Sequence, residues 1–118
     1  MKFANLLLCT AALTTAFAPA AYALSSGWAV INAAGIPIHG QNIGAVSHPG
    51  TGTYIVDFTH SVKKCAYTAT IGDGSAGTPP AGYVTVAGAS GDAPGVFVAV
   101  FDENGNVADI GFHLNVRC

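Results

Sequence analysis

From Trp28 onward the apolar residues of this chain show no helical spacing; they alternate one in two, in short runs broken by Gly, Pro, Asn and Asp. A period of two sends successive side chains to opposite faces of a strand. A succession of such runs predicts an all-β fold, an antiparallel β-sandwich or jelly-roll-like domain. The runs are WAVINA (28–33), GIPIHG (35–40), NIGAVSH (42–48), TYIVDF (53–58), CAYTATI (65–71), YVTVA (83–87), VFVAVF (96–101) and FHLNVRC (112–118). Pro37 predicts an edge position or a bend. VFVAVF is the most apolar run and is expected to be a central strand. PGTG (49–52) reads as a turn, GDGSAGTPPAG (72–82) as the longest loop, and the Asn-Gly pair in DENGN (102–106) as a tight hairpin.

Alternation also assigns faces. Tyr54, Val56 and Phe58 share one face, with Ile55 and Asp57 on the other; Phe112, Leu114, Val116 and Cys118 share another, opposite His113, Asn115 and Arg117. Cys65 falls in step with Tyr67, Ala69 and Ile71. Both cysteines therefore lie on the apolar side of their strands, as a bridge between those strands requires.

The first residues read as a secretory signal: Lys2, an apolar stretch from Leu6 to Ala18, and a small-x-small site at Ala21-Tyr22-Ala23. The stretch is shorter than the ~20 residues of a membrane span. Residues 1–23 are thus expected to be removed, taking Cys9 with them and leaving 24–118 as a single secreted β domain. Of the 118 residues, 95 remain, with Cys65 and Cys118 as the only cysteines, and an oxidising compartment predicts that they pair. The last residue then ties down the last strand and draws a fraying terminus into the core. A redox-active pair would need closer spacing, such as Cys-x-x-Cys.

Residues 24–118 carry Lys63, Lys64 and Arg117 against six acids, a formal charge of −3. Without a basic patch, a nucleic-acid partner is excluded. The apolar, weakly charged composition also excludes disorder. The small, uncharged outer faces of TATI and VTVA suit packing between copies, so a homo-oligomer is an expectation.

The order CAYTATIG, GYVTVA, VFVAVFDENG and FHLNVRC resembles small secreted bacterial β-domain proteins with a CAYxATIG…FHLxVxC pattern, related to C-terminal heads of surface and phage-tail-like chains. The resemblance covers most of Thr51 to Cys118. It implies a disulfide-closed β-fold at the cell surface or outside the cell, and it implies no reaction.

Candidate chemistry is sparse. His39, His48, His60 and His113 share no ligand spacing, and once the disulfide forms no thiol remains for zinc, so no metal and no cofactor is expected; solvent-facing histidines beside turns explain them. DENGNVAD offers Asp102, Asn104, Asn106 and Asp109 as oxygen ligands, but its glycine is fourth rather than sixth and no Glu closes the loop. Ser47, Ser61, Ser75 and Ser90 lack a Gly-x-Ser-x-Gly frame. Asp73, Asp92, Asp102, Glu103 and Asp109 fall at turns, and Asp57 sits on the outer side of a strand. No catalytic residue is assigned. Trp28, Tyr54, Tyr67 and Tyr83 combine flat apolar rings with polar edges, which suit protein or glycan surfaces, although such rings also fill small sandwiches. The sequence reads as a secreted, non-catalytic binding or assembly module whose ligand-binding residues it does not single out. The competing reading is a small extracellular hydrolase or enzyme inhibitor.

Overall fold

The computed structural model describes residues 26–118. The signal sequence expected at 1–23, Cys9 and the domain start at residue 24 lie outside the described residues. Eight strands follow: β1 (Gly27–Ile31), β2 (Pro37–Gln41), β3 (Ile43–Gly50), β4 (Thr53–Phe58), β5 (Ala66–Ile71), β6 (Gly82–Gly88), β7 (Gly95–Asp102) and β8 (Phe112–Arg117). They form two four-stranded antiparallel sheets, β2-β1-β8-β5 and β3-β4-β7-β6, called here the first and second sheets. No described helix is long and apolar enough to cross a membrane.

The core lies between the sheets and follows the alternation. Ala29, Ile31, Phe112, Leu114 and Val116 of the first sheet face Tyr54, Val56, Phe58, Val96, Val98 and Val100 of the second. Each fully buried aliphatic or aromatic side chain of this size stabilises the fold by about 1.5–3 kcal/mol. Val62, on the linker between β4 and β5, is also fully buried; its N–H donates to Ala93 O at 3.0 Å and its carbonyl accepts from Cys65 N and Tyr67 OH.

β2 and β3 are nearly continuous, and the chain changes sheets between them at Asn42, whose φ of 63° is a conformation Asn tolerates better than most residues. Its side chain holds the corner by donating to Ser26 O at 2.7 Å, and its carbonyl accepts from Thr59 N at 2.8 Å. Pro37 opens edge strand β2, where a missing N–H costs no ladder bond. β7 is central, as its apolar run suggested.

Three features differ from the sequence expectation. The Asn104–Gly105 turn does not join β7 to β8: the chain returns only as far as a bridge between Phe101 and Val107, then crosses to the first sheet, where β8 pairs with β1 and β5. Asp102 Oδ1 accepts the N–H groups of Asn104 and Asn106, which fixes this turn with Gly105 alone at positive φ. TATI and VTVA lie on neighbouring edge strands, β5 and β6, but in different sheets, so their Thr faces look out from opposite sides of the sandwich. The Cys65–Cys118 disulfide is formed, yet Cys118 stays exposed and Cys65 half-buried. The bond clamps the rim, where Ala66 pairs with Arg117, instead of entering the core.

Candidate functional site

The outward side of the second sheet is unusually apolar. Across β3, β4, β7 and β6 its rows read Ser47–Ile55–Phe97–Ala87 and, one step on, Thr53–Ala99–Thr85. The next row holds Val107, Phe101 and Tyr83. Tyr83 is 50% and Val107 51% exposed, and the Tyr83 ring stacks on Phe101 with centroids 4.9 Å apart. Asp57, in the row Ala45–Asp57–Gly95, is the one acidic residue among the outward strand positions of these rows.

At the margin of that side, Asp57 meets Asp92 of the β6–β7 connection. Gly95 leaves room for them: a Cβ there would crowd Asp92 Oδ2 and lie 2.7 Å from Asp57 Oδ1. Asp57 Oδ1 is sealed from solvent and has no donor while both carboxyls are ionised. A hydrogen bond shared with Asp92, then burial, then the Asp92 charge push Asp57 up to about 6. The folded chain therefore retains a proton that the unfolded chain loses near pH 4. The stability this proton contributes is present below the unfolded value and is lost as pH rises through about 6. Asp57→Asn should raise stability at pH 7 by on the order of 1 kcal/mol, after allowance for solvent screening, and leave it little changed at pH 4. Urea titrations of both proteins at the two pH values measure this; equal differences at both would contradict it.

A groove of ≈ 730 Å³ opens where the long loop meets the first sheet, lined by Thr70, Asp73, Ser75, Pro79, Ile110 and His113 among others. The loop folds over the outer side of the sheet: Gly74, at φ 84°, sits so close to Val30 that a Cβ would lie 3.1 Å from Val30 Cγ1. Val30 points outward yet is only 6% exposed. Asp73 Oδ1 accepts from Ser75 Oγ at 2.6 Å and from Ser75 N at 3.0 Å, and these bonds hold its carboxyl below the usual range. Ser75 thus gives its proton to a weakened base rather than to His113, an arrangement that builds a turn.

His48 is not solvent-facing. Its ring stacks on buried Tyr54 at 4.2 Å between centroids, its Nδ1 lies 2.8 Å from Thr53 O and its Nε2 3.2 Å from Asp109 Oδ1. Both ring nitrogens face oxygen acceptors. Asp109 also accepts from Gly52 N at 2.7 Å, which together with His48 keeps its carboxyl low despite opposing desolvation. Tyr54 donates to Ala33 O at 2.7 Å, and burial followed by the Asp109 charge pushes its phenol up to about 12. This cluster pins the β3–β4 turn to the segment before β8. His48 falls in step with inward-facing Val46 on β3, a parity the sequence offered but that its place beside the 49–52 turn obscured.

The other sequence candidates scatter. His39 lies on exposed β2 near Gly74, His60 on the β4–β5 linker with Nδ1 3.3 Å from Ser61 O, and His113 on the outer side of β8. Among the described residues no three of His, Cys, Asp or Glu are grouped to hold a metal ion. Asp102 and Asp109 serve different turns. Of the aromatic residues, Tyr54 and Tyr67 point inward, while Trp28 and Tyr83 point outward. The chain matches no protein-family model, no curated protein and no solved structure. Its class is the one its fold defines, a disulfide-closed, two-sheet antiparallel β-sandwich.

Proposed function

We propose that this protein is a secreted, non-catalytic assembly module that acts by surface contact, with the outer side of the second sheet as its contact face. The observation that carries this reading is the run of Ile55, Phe97, Phe101, Tyr83 and Val107 on a side whose strands bear one carboxyl, Asp57, paired at the margin with Asp92. The partner is a second copy. Apart from the Asp57–Asp92 pair at its margin the face offers little for a charged partner to recognise, and its apolar rows pack on themselves by a two-fold axis without stranding a charge. Four strands ~4.8 Å apart and five residues of ~3.4 Å each give a face of roughly 300 Å². That is below the ~800 Å² per partner of a stable complex, so pairing is weak and concentration-dependent. An extracellular setting is supported by the disulfide. The competing hydrolase reading lacks a base for Ser75, whose proton goes to a depressed carboxyl.

Sedimentation velocity tests the pairing. The wild type should shift from monomer toward dimer as concentration rises, whereas Phe97→Lys should remain monomeric with an unchanged melting temperature. A wild type that stays monomeric across the range contradicts the proposal, as does an oligomer that Phe97→Lys leaves intact.

A further inference from the structure

Trp28 is the only tryptophan of the chain and does not enter the core; it stands on the outer side of the first sheet, 41% exposed. Strand register places it in a row with Gln41, Asn115 and Thr68, and the next row holds His39, Val30, His113 and Thr70. A concavity of ≈ 310 Å³ lies along Trp28, Thr68, Thr70, His113 and Asn115. It shares Thr70 and His113 with the groove of ≈ 730 Å³ beneath the long loop, so the two form one trough. Both volumes fall within the ~300–1,000 Å³ of ligand clefts. The loop that walls the trough is seated on Val30 through Gly74.

We infer that this trough binds a neutral oligosaccharide, with Trp28 as the stacking platform and Thr68, Thr70, His113 and Asn115 as hydrogen-bonding partners of the sugar hydroxyls. A pyranose ring has an apolar C–H face and a rim of hydroxyls that both donate and accept. The indole matches the first, and amide, hydroxyl and imidazole side chains match the second. None of these four polar side chains is engaged in a hydrogen bond with another described residue. The charges select against other ligands. Asp73, held ionised at the loop end, repels phosphate or sulfate groups, and Arg117 is the one lysine or arginine on the strands of the first sheet. A purely apolar ligand would strand the amides and hydroxyls. A peptide strand would add to a sheet edge rather than lie across its face. The trough and the apolar side of the second sheet lie on opposite sides of the sandwich, so this inference stands whether or not copies pair.

The lone tryptophan makes the test direct. Cellohexaose, chitohexaose, mannohexaose and maltohexaose are titrated separately while Trp28 emission is followed, with a sulfated heparin oligosaccharide as the anionic arm. At least one neutral probe should give a saturable change. By calorimetry Trp28→Ala and Asn115→Ala should bind that probe at least about 10-fold more weakly with unchanged melting temperatures. Phe97→Lys should bind it as the wild type does, which separates this site from the pairing face. No saturable response to any neutral probe up to about 10 mM overturns the inference. So does a response to heparin alone, or binding that Trp28→Ala leaves unchanged.

Discussion

Replacing both cysteines, Cys65→Ala with Cys118→Ala, lowers the stability of the folded chain by about 4 kcal/mol. The bond closes a loop of 53 residues' separation, and its loss returns that conformational freedom to the unfolded chain. Cys118 is exposed and Cys65 half-buried, so little apolar burial is lost with the thiols. The native consequence is local: β5 is an edge strand whose ladder runs to β8 alone, and the bridge secures the end of that ladder at Ala66 and Arg117. Thermal unfolding should show a midpoint lower by roughly 15–30 °C for a domain of this size. A midpoint within about 3 °C of the oxidised wild type would contradict this account of the bridge.

Phe112→Ala costs about 3–5 kcal/mol, whereas His113→Ala, its neighbour, costs no more than about 0.5 kcal/mol. Phe112 is fully buried, pairs across the sheet with Ile31 and Ile71, and sets its ring 5.0 Å from that of Tyr54 at 60°. Truncation leaves a cavity at the centre of the sandwich that the flanking strands cannot collapse. His113 points to the opposite side and makes no core contact. Urea denaturation of the two variants separates the faces of one strand, and comparable losses would mean that the inward and outward assignments of β8 are wrong.

Inward and outward assignments were the most legible part of the fold. Tyr54, Val56 and Phe58 of β4, and Phe112, Leu114 and Val116 of β8, are buried as the alternation requires, because side-chain period is a local property of an extended backbone. The cysteine pairing was legible for the same reason. Sheet membership was not, since it depends on contacts distant in sequence: the Asn-Gly turn after β7 looks like a hairpin whether the following strand pairs beside β7 or crosses to the other sheet, as β8 does.

The contact surfaces were legible only in part, because WAVI and VFVAVF are apolar at every position and alternation cannot say which half faces the core. Val30 and Trp28 share the outer side of β1, yet the long loop shelters one and leaves the other exposed. VFVAVF does mark a central strand, but Phe97, Ala99 and Phe101 form an outer side that no described element buries. A run apolar on both sides usually signals burial on both sides, and here that expectation becomes the basis for pairing between copies. His48 falls on the inward side of β3 in step with Val46, but its meeting with Asp109 is tertiary and no spacing rule anticipates it.

The most direct test of contact through the second sheet is backbone amide NMR of the wild type at low and high concentration. The account predicts concentration-dependent shifts at Ile55, Phe97, Ala99, Tyr83 and Thr85, with Thr68, Asn115 and Trp28 unmoved. Shifts that are independent of concentration throughout, or that cluster on Thr68, Asn115 and Trp28 instead, would contradict it.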